Sequence, residues 1–228
     1  MHKSAPLCLL ILGLSLTACN NGGTPAPVEP PPKTDFVQPT AIEGTVQVIS
    51  VGNTATMQLR SKDGLTTLSS APIKALNGQF SFSLPLPSAA LSGKLESFPV
   101  AQLYQSLNSS GLDCTGTIQI SDLLATGYSF SELQLVDGTT VTKLSSITAS
   151  STGDFNEISA NGWFYSLSSV SVTGTRSCPS GQKYVANVHL KPGWNALQFN
   201  LGKSGGSYQS VDPTKTLWRS TSGPVATV

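Results

Sequence analysis

The feature that most restricts this chain is an alternation of apolar and polar residues with a period of two, recurring from Ile42 onward. Side chains of an extended strand point alternately to opposite faces, so such a run offers one face to a core and one to water. Val46 and Val48 alternate with Thr45 and Gln47, and Met57 and Leu59 with Thr56 and Gln58. Phe80, Phe82 and Leu84 alternate with Ser81 and Ser83, and Leu133 and Leu135 lead into Asp137-Gly138. Gly162 to Thr175 reads as one long run, with Trp163, Tyr165 and Leu167 on a face ahead of Val170 and Val172. Tyr184, Ala186, Val188 and Leu190 share a face in the next run, and Leu197, Phe199 and Leu201 in the one after it. Asp63-Gly64, Asn77-Gly78 and Asp137-Gly138 are two-residue hairpin signals, because both central positions of such a turn need positive φ. Turns at Pro179-Ser180-Gly181-Gln182 and Lys191-Pro192-Gly193 make the last three long runs an expected antiparallel meander, and Leu217-Trp218 an expected final edge strand.

One segment breaks the period. Over 97–108, Pro99 suits a first helical turn, and Val100, Leu103, Tyr104 and Leu107 follow the stripe of a helix face. Asn108-Ser109-Ser110-Gly111 would end it. Serine and threonine make up about a quarter of the chain and charged residues only 11%, a mixture suited to solvent faces of strands rather than of helices. The expected fold is therefore all-β: an antiparallel β-sandwich with one short helix. Pro85-Leu86-Pro87 closes a compact stretch, so residues 41–88 form an expected small β unit and 89–228 a larger one.

The first forty residues have a different composition. Met1-His2-Lys3 is basic, and Ala5 to Leu16 is apolar and uncharged apart from one serine. About a dozen such residues are too few for the ~20 that cross a bilayer as a helix. They describe a secretory leader. Leu16-Thr17-Ala18-Cys19 resembles the lipobox of bacterial lipoprotein signal peptides. The resemblance implies removal of 1–18, a diacylglyceryl thioether on Cys19, and acylation of the new amino terminus by a palmitate-like chain. One acyl chain anchors only marginally, and the three implied here would anchor for practical purposes irreversibly. Asn20 after the cysteine resembles the outer-membrane-destined pattern, which implies localisation in the cell envelope. Residues 19–40 are the expected linker: Pro25, Pro27, Pro30, Pro31, Pro32 and Pro39 forbid helix and sheet and favour polyproline II at ~3.1 Å per residue.

With Cys8 in the leader and Cys19 lipidated, Cys114 and Cys178 are left as a natural disulfide pair in an oxidising envelope. Two cysteines and a single mature histidine do not make a structural zinc site. The beginning Gly44-Thr45-Val46 and the ending Gly78-Gln79-Phe80-Ser81-Phe82-Ser83-Leu84-Pro85 are similar to small transthyretin-like or Ig-like repeats of envelope proteins. Val170 to Cys178, followed by an alternating run and Leu190-Lys191-Pro192-Gly193-Trp194-Asn195, resembles β-sandwich modules of uncharacterised bacterial lipoproteins. That likeness implies no activity.

The full chain has 13 basic and 12 acidic side chains, and assigning Lys3 to the leader balances them. Nothing here attracts nucleic acid by long-range electrostatics. His189 is the one histidine beyond the leader, no G-x-S-x-G elbow occurs, and Ser180 to Lys183 matches S-x-x-K only within a turn. Asp154, Asn156 and Glu157 lack the spacing of a calcium loop. The expectation is a non-catalytic protein with no cofactor or metal, tethered to the membrane through Cys19. Its work is binding or structural, with a cell-wall polysaccharide or an envelope protein as partner. Trp163, Trp194 and Trp218 are the candidate ligand contacts, since exposed aromatics on a sandwich stack on sugar rings. Core packing is the competing reading.

Overall fold

The computed structural model describes residues 33–47, 51–76, 79–88, 91, 93–97, 114–152 and 155–220. The fold is all-β. One sheet, A, has the spatial order β3 (Thr67–Pro72), β2 (Thr56–Arg60), β9 (Glu132–Asp137), β10 (Thr140–Ser145), β17 (Thr216–Ser220), β1 (Ala41–Gln47), β5 (Gln79–Pro85), β4 (Lys74–Leu76). The other, B, runs β6 (Glu96–Ser97), β8 (Thr126–Phe130), β12 (Phe155–Ser166), β15 (Gly193–Gly202), β16 (Gly205–Val211), β14 (Lys183–Leu190), β13 (Val170–Ser177), β7 (Thr115–Ile120). A further strand, β11 (Thr148–Thr152), pairs with β12.

Both sheets curl. β3 and β4 lie at opposite ends of sheet A yet are separated in the chain by Ile73 alone, so the two edges must approach. Ser69 Oγ of β3 accordingly donates to Pro85 O of β5 at 2.6 Å. β7 and β8 stand near opposite ends of sheet B and are joined by residues 121–125, where Ser121 N reaches Ser171 O at 2.9 Å.

The alternation read from the sequence decides what fills these curls. Ile42, Met57, Leu59, Leu84, Leu133 and Leu144 meet in a first core, where Trp163 and Trp194 of sheet B join them. A second core lies against one face of sheet B and holds Ile118, Phe164, Val172, Val188, Leu190 and Leu197. Full burial of one such side chain contributes roughly 1.5–3 kcal/mol. β12 and β15 form the wall between the cores: Trp163 faces the first and Phe164 the second, Trp194 the first and Leu197 the second. At Gly44 on β1 an added Cβ would sit 2.7 Å from the Phe82 ring and 2.8 Å from Trp218, so only glycine lets both aromatics cover the strand.

Several local expectations differ from what the chain does. Strands from either side of residue 88 share sheet A, as β2 pairs with β9 and β1 with β17. The last strand is not an edge; β17 is inserted between β10 and β1. The meander is broken, because β16 lies between β14 and β15 and runs parallel to β14. Parallel pairing also joins β1 to β17, so the sheets are mixed rather than purely antiparallel. Gly162 to Thr175 is two strands with a turn at 167–169. Asp63-Gly64 belongs to a longer loop, 61–66, in which Gly64 adopts φ 73°. Beyond Asp137 the turn is Gly138-Thr139, with Gly138 at φ 59°. Ser97 ends β6; the rest of the expected helix, residues 98–108, lies outside the described residues, as do the leader, Cys19 and the linker to Pro32.

Candidate functional site

The three tryptophans do not form a ligand platform. Trp163, Trp194 and Trp218 are 3%, 6% and 0% exposed, and they make the joint between the sheets. Trp163 of β12 stacks on Trp218 of β17 with centroids 5.3 Å apart and on Phe130 of β8 at 5.7 Å. Trp194 meets Phe130 and Tyr165 edge-on, and its Nε1 donates to Pro87 O at 2.8 Å. Each lies on the side of its strand that faces the first core. The expectation that they stack on sugars is corrected: in the folded chain Trp163 and Trp218 stack on each other, and Trp194 is packed among Phe130, Tyr165 and Tyr128.

Cys114 and Cys178 are joined in a disulfide across 64 residues of sequence. It sits one residue beyond the register pair Thr115↔Ser177 and clamps β7, the edge of sheet B, to β13.

His189 lies on the face of β14 opposite Ala186, Val188 and Leu190, as its place in the alternation requires. Its Nε2 stands 3.0 Å from Asn187 Oδ1, and its backbone N–H donates to Ser210 Oγ at 2.8 Å. Ser180-Gly181-Gln182-Lys183 is a turn, with Gly181 at φ 83°, so its serine and lysine do not share a helical face. Asn156 and Glu157 fall in β12, and Asp154 lies outside the described residues. Among the described residues no group of three metal-ligating side chains comes together.

What the structure does bring together is the side of sheet B facing away from the second core. Register partners on neighbouring strands point to the same face. Asn161 of β12 is partnered by Gln198 of β15, and Gln198 by Gln209 of β16. Gln209 is partnered by Asn187 of β14, Asn187 by Thr173 of β13, and Thr173 by Gln119 of β7. The result is a single line of five amides and a hydroxyl across the sheet. The adjacent line is Ser159, Asn200, Ser207, Val185, Thr175 and Thr117. Gln209 Nε2 donates to Gln198 Oε1 at 2.9 Å, and Asn200 Nδ2 to Ser207 Oγ at 3.2 Å. Neither line contains a charge; Glu157 and Lys183 stand in the next line, at one end of the strands. The corresponding face of sheet A, by contrast, carries Glu43, Arg60, Glu132, Lys143 and Arg219.

A strap, Lys33 to Gln38, runs against the end of sheet B. Lys191 Nζ donates to Asp35, and Lys33 Nζ to Asp212. Val37 N donates to Asp212 Oδ1 at 2.9 Å, and Gln38 Nε2 to Pro192 O at 2.7 Å. The hydrogen bond from Lys191 holds the Asp35 carboxyl below the usual aspartate range, and that from Lys33 does the same for Asp212.

No protein-family model, curated protein or solved structure matches this chain.

Proposed function

We propose that this is a lipid-anchored protein of the cell envelope with three parts: a thioether lipid on Cys19, a proline-rich spacer, and a folded β portion that works by binding rather than catalysis. The observation that carries the reading is the Cys114–Cys178 disulfide, which belongs to an oxidising compartment and so agrees with the leader and lipobox. Two uncharged lines of amides and hydroxyls on sheet B support binding as the mode of action, since they gather hydrogen-bonding groups in register. In this reading the outer membrane holds the lipid, and the partner is a wall polysaccharide or another envelope protein.

The test is fractionation of cells producing the native chain or Cys19→Ser, with mass spectrometry of the purified amino terminus. The native protein is expected in the membrane fraction, beginning at Cys19 with diacylglyceryl and acyl mass added. Cys19→Ser should lose that mass. A native product that begins elsewhere, or that stays soluble without detergent, overturns the anchor.

A further inference from the structure

We infer that the line Asn161–Gln198–Gln209–Asn187–Thr173–Gln119 binds a neutral, polyhydroxylated chain, a polysaccharide strand laid across the β-strands of sheet B. This rests on the proposal that the folded portion works by binding, and it names the class of ligand.

Three properties of the line select that class. The first is its chemistry. A primary amide has two N–H donors and two acceptor lone pairs, so it pairs with hydroxyl groups in either sense. Gln198 and Gln209 spend one capacity each on one another, and three of four remain on each amide. The second is charge. No ammonium, guanidinium or carboxylate shares the line or its neighbour, whereas the outer face of sheet A has both signs. A polyanion finds no cation here, and a neutral polyol meets no charge that it would have to desolvate.

The third property is spacing and order. Neighbouring strands lie about 4.8 Å apart, which is close to the length of one sugar ring in an extended glycan, so successive rings would meet successive amides. The bonds between Gln209 and Gln198, and between Asn187 and His189, hold these side chains before a ligand arrives. Ordering a free side chain at an interface costs roughly 0.5–1.5 kcal/mol, and a line already ordered avoids much of that cost. The three tryptophans, the commoner means of stacking on sugars, are buried and take no part in this line.

The experiment uses the mature full-length protein in detergent, titrated with cellohexaose, maltohexaose and N-acetylchitohexaose, and separately with polygalacturonate. Side-chain amide resonances are followed by NMR. At least one neutral oligomer should shift the resonances of Asn187, Gln198 and Gln209 and leave those of Gln58 and Gln134 on sheet A unmoved. Asn187→Ala and Gln209→Ala should each weaken binding about five-fold, the loss of one hydrogen bond. Gln134→Ala should leave binding unchanged, and so should a ten-fold rise in salt. The inference is overturned if no neutral oligomer shifts the line at millimolar concentration, or if polygalacturonate alone binds. It is equally overturned if the line broadens with protein concentration in the absence of sugar, which would make it a contact between copies. The amide shifts are read whether or not Cys19 bears lipid, so a failed anchor and a failed ligand give separate results.

Discussion

Gly44 shows how a single residue can be set by its neighbours rather than by its own strand. Its φ is unremarkable for a strand, and it carries no turn; the Phe82 and Trp218 rings simply lie where a methyl would go. Gly44→Ala should therefore destabilise the fold by about 1–3 kcal/mol through overpacking, read as a lower denaturation midpoint at unchanged slope. Residue identity was partly legible from sequence. The face taken by His189 followed from the alternation of Ala186, Val188 and Leu190 around it. The burial of Trp163 did not follow, because β12 has large apolar residues on both faces, Trp163 on one and Phe164 on the other. A local pattern cannot say which of two such faces reaches water when both meet a core.

At the scale of elements, most strands were visible because alternation is local, and most errors lay in their partners. Nothing within residues 184–201 announces that a strand starting at Gly205 will separate β14 from β15. The amide line was illegible for the same reason and one more: Thr173, Asn187 and Gln198 sat in runs the alternation marks, Gln119 and Gln209 sat in strands it does not mark, and their alignment needs the strand order. Two elements carry predictions. The disulfide closes a loop of 64 residues, so Cys114→Ser or Cys178→Ser should cost about 4 kcal/mol in a chemical denaturation experiment on the chain-entropy account. The strap depends on ionised Asp35 and Asp212, whose carboxyls are held below their ordinary range. Its docking is complete above that range and is lost as the pH falls through the lowered values, below about pH 4. Amide exchange at Val37, whose N–H is held by Asp212, should accelerate in that acid window while exchange at Val188 in the second core stays slow.

At the scale of the molecule, the class of fold was available from the sequence and its division was not. Pro85-Leu86-Pro87 looks like a boundary, but sheet A draws β1 to β5 from before it and β9, β10 and β17 from after it. The deepest consequence comes from the position of β17. Val46 and Trp218 are far apart in the sequence, yet the two strands they belong to lie side by side in parallel register. β1 must therefore wait, unpaired on that side, until the strand Thr216–Ser220 has been made. Pairing two strands so distant in the chain demands a long loop closure before the contact stabilises anything, so sheet A is expected to close slowly.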